Sequence, residues 1–186
     1  MADRRTQLLD AAVEVVAEQG LGRLTHAAVD AMARVPTGST VEQFPTARAL
    51  LEGVTERCIE RELEMAAGPD PTIEPSPAGI AAMFGRFVGR ALGADRAVTL
   101  ARYELQAEAA RTPSLRAFYA VGADTVDTWV VDLVTRAGSH HPQRDVGIMA
   151  NYVTGLVFHE LALPSPDLDA AGRIRGVIDA LGWEAR

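Results

Sequence analysis

The stretch LTHAAVDAMARVPTGSTVEQFPTARALL, residues 24–51, holds two short helical segments separated by a break. Thr25 is a predicted N-cap, because its hydroxyl can accept from a free N–H of a helix over His26–Ala33. The Val-Pro pair at 35–36 interrupts that helix, and a second short helix follows through Gln43. Two short helices joined by a tight turn predict a helix-turn-helix, in which one helix enters the major groove of DNA and its neighbour positions it on the backbone.

Longer helices flank this pair on both sides. The preceding segment, Arg4–Gln19, repeats apolar residues at three- and four-residue steps, and Gly20 is a natural stop for it. On the other side, Phe44 and Pro45 end the second short helix. Thr46 can then cap a long helix over Ala47–Ala67.

The rest of the chain is also helical by pattern. A loop rich in proline covers Gly68–Pro77, and the spacing beyond it predicts five more helices, over Ala78–Leu92, Arg96–Ala110, Ser114–Ala137, Gln143–Leu163 and Leu168–Leu181. We find no alternating strand pattern and no internal repeat. The sequence therefore predicts an all-α protein of about nine helices, with a three-helix module first and larger helices after it.

Composition limits the classes of protein that fit. The 186 residues are 48% hydrophobic and 23% charged, which suits a folded chain with a real core. The longest run without Asp, Glu or Arg, Val146–His159, is too short to span a bilayer, and no leader-like apolar segment opens the chain. We expect a soluble cytoplasmic protein with no membrane partner. The net charge of −7 argues against indiscriminate polyanion binding but leaves room for a local DNA-binding face.

No catalytic constellation stands out. There is no P-loop and no nucleotide-binding glycine pattern, and His159-Glu160 lacks the second histidine of a zinc protease. His140 and His141 fit solvated side chains in a loop better than a metal site, and Cys58 fits a small buried group better than a redox sensor. We expect a protein that is not an enzyme and that needs no cofactor and no metal.

Several spaced motifs resemble the TetR family of bacterial transcriptional regulators. Over residues 4–55 they are Leu8-Leu9-Asp10-Ala11-Ala12, Gly20, Leu24-Thr25, Val35-Pro36-Thr37-Gly38-Ser39-Thr40, Phe44-Pro45-Thr46 and Ala49-Leu50-Leu51. The segment Ala101-Arg102-Tyr103-Glu104-Leu105 is also similar to the sixth helix of many members. The resemblance implies a helix-turn-helix DNA-binding domain over 1–46 and an effector-binding and dimerisation domain over 47–186.

The same resemblance implies a set of DNA-binding residues. They are Arg4, Arg5, Thr25, His26, Arg34, Thr37, Gly38, Ser39, Thr40, Gln43 and Arg48. It also makes Phe44 the core aromatic that holds the recognition helix against the long fourth helix. This chain has Arg34 where the family usually has glycine in the turn. Residues 1–53 carry five arginines and seven acids, an unusual balance for a module that binds phosphates.

Small residues and aromatics mark the candidate effector site. Gly85, Gly89 and Gly93 recur at four-residue steps, which fits either a close helix crossing or one wall of a ligand cavity. The candidate ligand-binding residues are Met83, Phe84, Phe87, Tyr103, Gln106, Phe118, Trp129, Asn151, Tyr152 and Phe158.

The helix at 143–163 is apolar nearly all round, so its burial calls for a partner subunit. Its stripe of Asn151, Gly155 and His159 fits a close crossing with polar contacts or polar groups in a pocket. The candidate homodimer interface is Val146, Met149, Val153, Leu156, Val157, Leu161, Ile174, Val177, Ile178 and Leu181.

These features together predict a homodimeric, TetR-like regulator of transcription. It would act as a repressor on a double-stranded DNA operator and be released by a small hydrophobic effector. The alternative is a small-molecule-binding or interaction protein on the same fold with weak or lost DNA binding. The acidic N-terminal module motivates that alternative.

Overall fold

The structure is a computed structural model that describes residues 3–66 and 72–183, with the backbone alone for residues 65, 66 and 120–127. The described residues form nine α-helices and no strand, which confirms the predicted all-α class. The helices are α1 (Arg4–Gln19), α2 (His26–Ala33), α3 (Ser39–Gln43), α4 (Ala47–Ala66), α5 (Pro77–Leu92), α6 (Arg96–Ala109), α7 (Pro113–Arg136), α8 (Pro142–Ala162) and α9 (Ala170–Ala180).

Helix ends follow the local capping chemistry. Gly20 has a φ of 82° and ends α1, while the Thr25 hydroxyl accepts from the Ala28 amide at 3.2 Å and begins α2. The Thr46 hydroxyl accepts from the Ala49 amide at 3.0 Å at the start of α4. The last helix starts two residues later than predicted, because Asp169 is its N-cap. A short 3₁₀ turn over Leu21–Arg23 was not foreseen.

Two predictions fall partly outside the described residues. The predicted end of the fourth helix, Ala67, lies there, as do residues 68–71 of the predicted proline-rich loop. No helix in the described ranges is both long and apolar enough to cross a membrane.

The chain divides into two compact units. One comprises the described parts of Met1–Glu64 and Arg96–Gly122, and the other those of Met65–Asp95 and Ala123–Arg186. The first unit therefore groups α4 and α6 with the helix-turn-helix. These are units of packing, and the functional boundary at residue 46 stays a prediction.

The core of the first unit forms around α1, which packs against α2 and α6. The α1 face of Leu8, Ala12, Val15 and Val16 is fully buried, as the helical spacing requires. Further buried side chains come from α2, α4 and α6 and from Phe44 at the end of α3: Val29, Phe44, Leu50, Val54, Cys58, Val98, Ala101 and Leu105. The two short helices thus rest on a continuous apolar core that holds them in place.

In the second unit, α5 packs along α9 and also contacts α8. A Cβ atom added at Gly85 would lie 3.0 Å from the Cβ of Ala171 on α9, so glycine permits this crossing. Gly89, by contrast, has nothing within 4 Å of such an atom, and Gly93 is the C-cap of α5. Of the two interpretations of the glycine stripe, close helix approach holds at Gly85.

Candidate nucleic-acid interface

A buried carboxylate fixes the turn between α2 and α3. Asp30 is only 4% exposed. Its Oδ2 accepts from the Gly38 amide at 2.7 Å, and its Oδ1 accepts from the Thr40 amide at 2.8 Å and from the Thr40 hydroxyl at 2.5 Å. Asp30 therefore satisfies N–H groups at the start of α3 that would otherwise lack partners.

The same contacts set the charge of Asp30. Burial acts to raise the pKa of its carboxyl group, whereas hydrogen bonds from the Thr40 hydroxyl and from the amides of Gly38 and Thr40 act to lower it. The charge of nearby His26 also lowers it, and the net effect is a pKa below the ordinary value. An ionised carboxylate at the N-terminus of α3 also suits the helix dipole.

Arg34 supplies the left-handed residue that the turn needs. Its φ of 55° and ψ of 47° make it the one non-glycine residue with positive φ in the described ranges. Its amide donates to the Ala31 carbonyl at 3.2 Å and closes the end of α2. Arg34 thus adopts a left-handed conformation that glycine favours, and its exposed guanidinium lies at the surface of the turn.

Phe44 joins the end of α3 to α4. Its side chain is 2% exposed, and a Cβ atom at Gly53 of α4 would lie 2.8 Å from its Cε1. The Arg5 guanidinium lies 4.8 Å from the centre of the Phe44 ring. His26 Nε2 donates to the Phe44 carbonyl at 2.7 Å. Glycine at position 53 thus makes room for the aromatic ring that holds the short helices on α4.

The structure places most of the predicted DNA-binding residues at the surface of this module. The exposed ones are Arg4, Thr25, Arg34, Thr37, Gln43 and Arg48, and the half-buried ones are Arg5, His26, Gly38 and Ser39. Two of the cations are engaged within the chain: Arg5 over Phe44, and Arg48, which pairs with Glu52 at 2.9 Å. The Ser39 hydroxyl donates to the Pro36 carbonyl at 2.7 Å.

Thr40 requires a correction. It was predicted to contact DNA, but its side chain is fully buried and its hydroxyl donates to Asp30. A side chain in that position offers no surface to a base or a phosphate, so its role is to hold α3 in place.

Sequence reasoning missed three residues that matter to this module: two buried ones that hold α3 in place and one exposed on it. Asp30 was not singled out, because its partners Gly38 and Thr40 lie eight and ten residues further along the chain. Gly53 was read only as part of a helix. Val41 was given no role, yet its side chain is 44% exposed on α3.

The candidate effector residues are distributed over both units. Those in the first unit are Tyr103, Gln106 and Phe118, and those in the second are Met83, Phe84, Phe87, Trp129, Asn151, Tyr152 and Phe158. Asn151 and Phe158 are exposed, and the other eight are half-buried. None of the ten belongs to the fully buried core.

A polar cluster in the first unit was also not foreseen. Arg102 is 6% exposed, its Nη1 donates to Glu62 at 3.0 Å, and its guanidinium lies 4.5 Å from the centre of the Tyr103 ring. Arg102 Nε and the Tyr119 hydroxyl are buried without a hydrogen-bond partner in the described part of the chain. Burial raises the pKa of Glu62 against the lowering effect of Arg102, and it also raises the pKa of the Tyr119 hydroxyl.

Cys58 lies in the same cluster. It is fully buried, and burial raises the pKa of its thiol to about 12. A protonated, inaccessible thiol is a poor nucleophile, in keeping with the expectation of a small buried group.

The candidate dimer residues also require a correction. Seven of them are buried inside the single chain: Val146, Met149, Val153, Leu156, Val157, Ile174 and Ile178. They form the core of the second unit and are not available to a partner. Leu161, Val177 and Leu181 are half-buried. The helix α8 is thus not apolar all round, because one of its faces is the exposed one that carries Asn151, Gly155 and His159.

A helix-turn-helix on a core of longer helices, followed by a second helical unit, is an architecture of transcription regulators. The sequence model of the tetracyclin repressor-like C-terminal domain matches residues 75–181, more than half of the chain. The protein belongs to the TetR family, and its fold is that of a TetR-family transcriptional regulator.

Solved structures agree over nearly the full length. The multidrug binding protein EbrR in complex with ethidium is 27% identical, with 96% of this chain and 98% of that one covered and a TM-score of 0.71. A TetR-family member from Streptomyces coelicolor A3 is 27% identical over 97% of this chain and 98% of that one, with a TM-score of 0.75. A TetR-family regulator from Rhodococcus sp. shares the fold at 22% identity, over 97% and 99% of the two chains, with a TM-score of 0.77. None of the curated proteins compared with the chain matches it.

Proposed function

We propose that the protein is a homodimeric, cytoplasmic repressor that binds an operator through α3 and leaves it when a small hydrophobic effector binds. The observation that carries the proposal is the set of three hydrogen bonds from Gly38 and Thr40 to the Asp30 carboxylate. These bonds hold α3 at the surface in one fixed orientation. A short helix held rigidly on its neighbour is what entry into the major groove requires.

The charges around α3 support a DNA partner. Arg34 precedes the helix, Arg48 follows it, and both are exposed. Such side chains can neutralise phosphates on either side of the groove, while Thr37 and Gln43 face outward between them.

The experiment is a selection of genomic fragments at low salt, followed by footprinting. We expect a near-palindromic site whose half-sites lie one helical turn or a multiple of it apart. Affinity should fall with salt along a log–log slope of about −0.9 per neutralised phosphate, and we expect a shallow slope because few cations are free. A folded protein that enriches no fragment contradicts the proposal.

Two exposed residues separate positioning from base selection. Arg48→Ala should lower the affinity for all DNA sequences about equally and make the dependence of affinity on salt less steep. Thr37→Ala should instead change the preferred sequence if the side chain reaches a base edge. Glu52→Ala is a matched control for Arg48, because it frees the same arginine from its ion pair and should strengthen binding.

The relatives indicate the class of effector. EbrR was solved with ethidium and with proflavin, both planar aromatic cations. The half-buried aromatics Phe87 and Trp129 of the second unit offer π faces for such a molecule, and the excess of acids over arginines, 25 to 18, favours a cation. We propose that this chain takes an effector of the same kind.

Because ethidium and proflavin both intercalate in DNA, the binding test is carried out without DNA. Ethidium fluorescence is titrated with the protein alone, and saturable enhancement that Phe87→Ala or Trp129→Ala weakens supports the proposal. Leu163→Ala, at an exposed position outside the candidate set, is the control. No saturable signal with either compound overturns the aromatic-cation class.

The homodimer is supported by the exposed surface of α8 and α9. Beyond its own stretch of helix, a Cβ atom added at Gly147, Gly155 or Gly176 would have no atom of the described residues within 4 Å, so no packing seen there explains these helical glycines. The side chains of Ile148 and Phe158 are 40% and 59% exposed on α8. Small residues beside exposed apolar ones suit the close approach of helices from a second copy.

A second candidate function also has an observation behind it. Arg5 and Arg48 are engaged within a module whose acids outnumber its arginines. A protein that binds small molecules on this fold and has little affinity for DNA would fit that balance. Ethidium binding without enrichment of any DNA fragment would favour this second candidate.

A further inference from the structure

The outward face of α3 has an unusual chemistry for a helix that contacts DNA. Val41, Glu42 and Gln43 are all exposed, whereas Thr40 before them and Phe44 after them are buried. The surface of α3 therefore combines an isopropyl group, a carboxylate and an amide.

No cation lies on or next to this helix in the sequence. Residues 36–47 contain neither arginine nor lysine, and the nearest are Arg34 and Arg48. The commonest specific contact in the major groove, a bidentate arginine or lysine on guanine, is therefore not available from α3 itself.

A carboxylate in the groove has few favourable partners. Phosphates repel it, and so do the acceptor atoms of guanine and the O4 of thymine. Adenine offers an amino group only beside its N7 acceptor, whereas cytosine offers an amino group with no acceptor next to it in the groove, so cytosine is the favoured donor. The Glu42 carboxylate has no ion-pair partner among the described side chains, so it is free to accept. Next to it, the Val41 methyl groups can contact only an apolar atom, and the C5-methyl group of thymine is the one that the groove offers.

Resting on the proposed DNA binding, we propose that Val41 and Glu42 determine the operator sequence, Glu42 by accepting from a cytosine amino group and Val41 by contact with a thymine methyl group. Specificity then comes from an acceptor and a methyl contact, while Arg34 and Arg48 supply attraction to the flanking phosphates. The competing role for Glu42 is purely structural, since an acid in the first turn of a short helix stabilises it.

The test begins with selection from random duplex DNA by the full-length protein. The wild type should enrich one cytosine and one thymine in each half-site. Replacing that cytosine should weaken binding roughly tenfold, as one mismatched base pair does in other systems. Glu42→Gln should abolish the preference for cytosine at this position alone. Glu56→Gln removes another exposed carboxylate, from α4, and should leave every base preference unchanged.

The thymine contact is tested by removing a single methyl group. Deoxyuridine in place of the enriched thymine should lower the DNA affinity of the wild type about fourfold, which corresponds to the free energy of burying one methyl group. The same replacement should leave the DNA affinity of the Val41→Ala variant unchanged. Thermal unfolding of each variant checks the structural role of the helix separately.

The outcomes are distinct for the two proposals. A wild type that enriches no sequence overturns both this inference and the proposed DNA binding. A defined operator whose preferences survive Glu42→Gln, or whose thymine tolerates deoxyuridine, overturns the inference and leaves DNA binding in place.

Discussion

At the turn after α2 the backbone needs a left-handed residue, and the chain supplies Arg34. For a residue with a Cβ atom this conformation costs about 1–2 kcal/mol, because the Cβ approaches the following carbonyl oxygen. Glycine avoids the clash but has a more disordered unfolded state, which offsets part of the gain. The arginine is thus tolerated at some expense of stability, in return for a cation beside α3.

We expect Arg34→Gly to raise the free energy of unfolding by about 0.5–1 kcal/mol. Arg34→Ala is the matched control, because alanine keeps the Cβ atom and should bring no comparable gain. Chemical denaturation measures both, and DNA affinity should fall in both because each removes the same charge. Equal stability of the two variants would show that the left-handed backbone carries no strain.

Asp30 is the residue on which the position of α3 depends. Asp30→Asn leaves one acceptor oxygen but places an amino group against the backbone N–H groups of Gly38 or Thr40. We expect a loss of about 2 kcal/mol, as for a buried donor left without a partner. Thr40→Val removes only the hydroxyl bond and should cost less.

The contribution of Asp30 should also depend on pH. Folding lowers its pKa, so the folded state binds the proton less tightly than the unfolded chain does. The stabilisation is therefore fully present above the ordinary pKa of 3.8 and is lost as the pH falls through the lower folded value. In denaturation from pH 7 to 3, the difference between wild type and Asp30→Asn should shrink below about pH 4. A difference that stays constant would contradict this assignment.

Among the elements, α3 and α4 meet where Gly53 faces Phe44. Alanine is about 1 kcal/mol better than glycine in a helix interior, so Gly53→Ala would stabilise an isolated helix. Here the new Cβ atom would lie 2.8 Å from Phe44 Cε1 and 3.1 Å from Leu9 Cδ2, and the buried ring would have to move.

We therefore expect Gly53→Ala to destabilise the protein by about 1–3 kcal/mol, as overpacking does in other cores. Gly89→Ala is the control, because the same atom there meets nothing within 4 Å and should stabilise α5. The two substitutions should shift the melting temperature in opposite directions. A shift upward in both would mean that Phe44 repacks freely.

Helices were predictable where capping and periodicity are local properties. The stops at Gly20 and Phe44 and the cap at Thr25 follow from single residues and their neighbours. The face that each helix buries was harder to predict. On α8 the buried side includes Asp145 and Glu160, which sequence alone would place in water.

Hydrogen-bond partners outside α8 explain those two acids. The Asp145 carboxylate accepts from the Ser139 hydroxyl at 2.6 Å and from Trp183 Nε1 at 2.9 Å. Glu160 accepts from the Ser165 amide at 2.7 Å and from Arg173 at 2.9 Å. No pattern within α8 reveals such pairs, so the helix was interpreted from sequence as apolar all round, and seven side chains that this chain buries itself were assigned to a partner subunit. Thr40 was misassigned for the same reason, because its partner Asp30 lies ten residues away.

For the whole molecule, the proposed mechanism needs two copies held at a fixed spacing. An effector can release DNA only if it binds more tightly to the state in which the two α3 helices no longer match successive major grooves. The interface between the two copies would set the distance between their α3 helices. The function therefore depends on which residues of α8 and α9 form that interface.

Gly155 tests that position. Apart from its own stretch of helix, nothing in the described residues lies within 4 Å of its added Cβ atom, so Gly155→Arg should fold and even gain helix propensity, by somewhat under 1 kcal/mol. If a second copy crosses α8 there, the long charged side chain blocks the approach. Gly89→Arg makes the same change at an equally open glycine of α5. Light scattering should give twice the 19.8 kDa of one chain for the wild type and Gly89→Arg, and a single chain for Gly155→Arg.

Loss of operator binding should accompany the monomer, because one α3 has about half of the contacts. A Gly155→Arg dimer would move the interface away from this face of α8, and a monomeric wild type would remove the homodimer altogether.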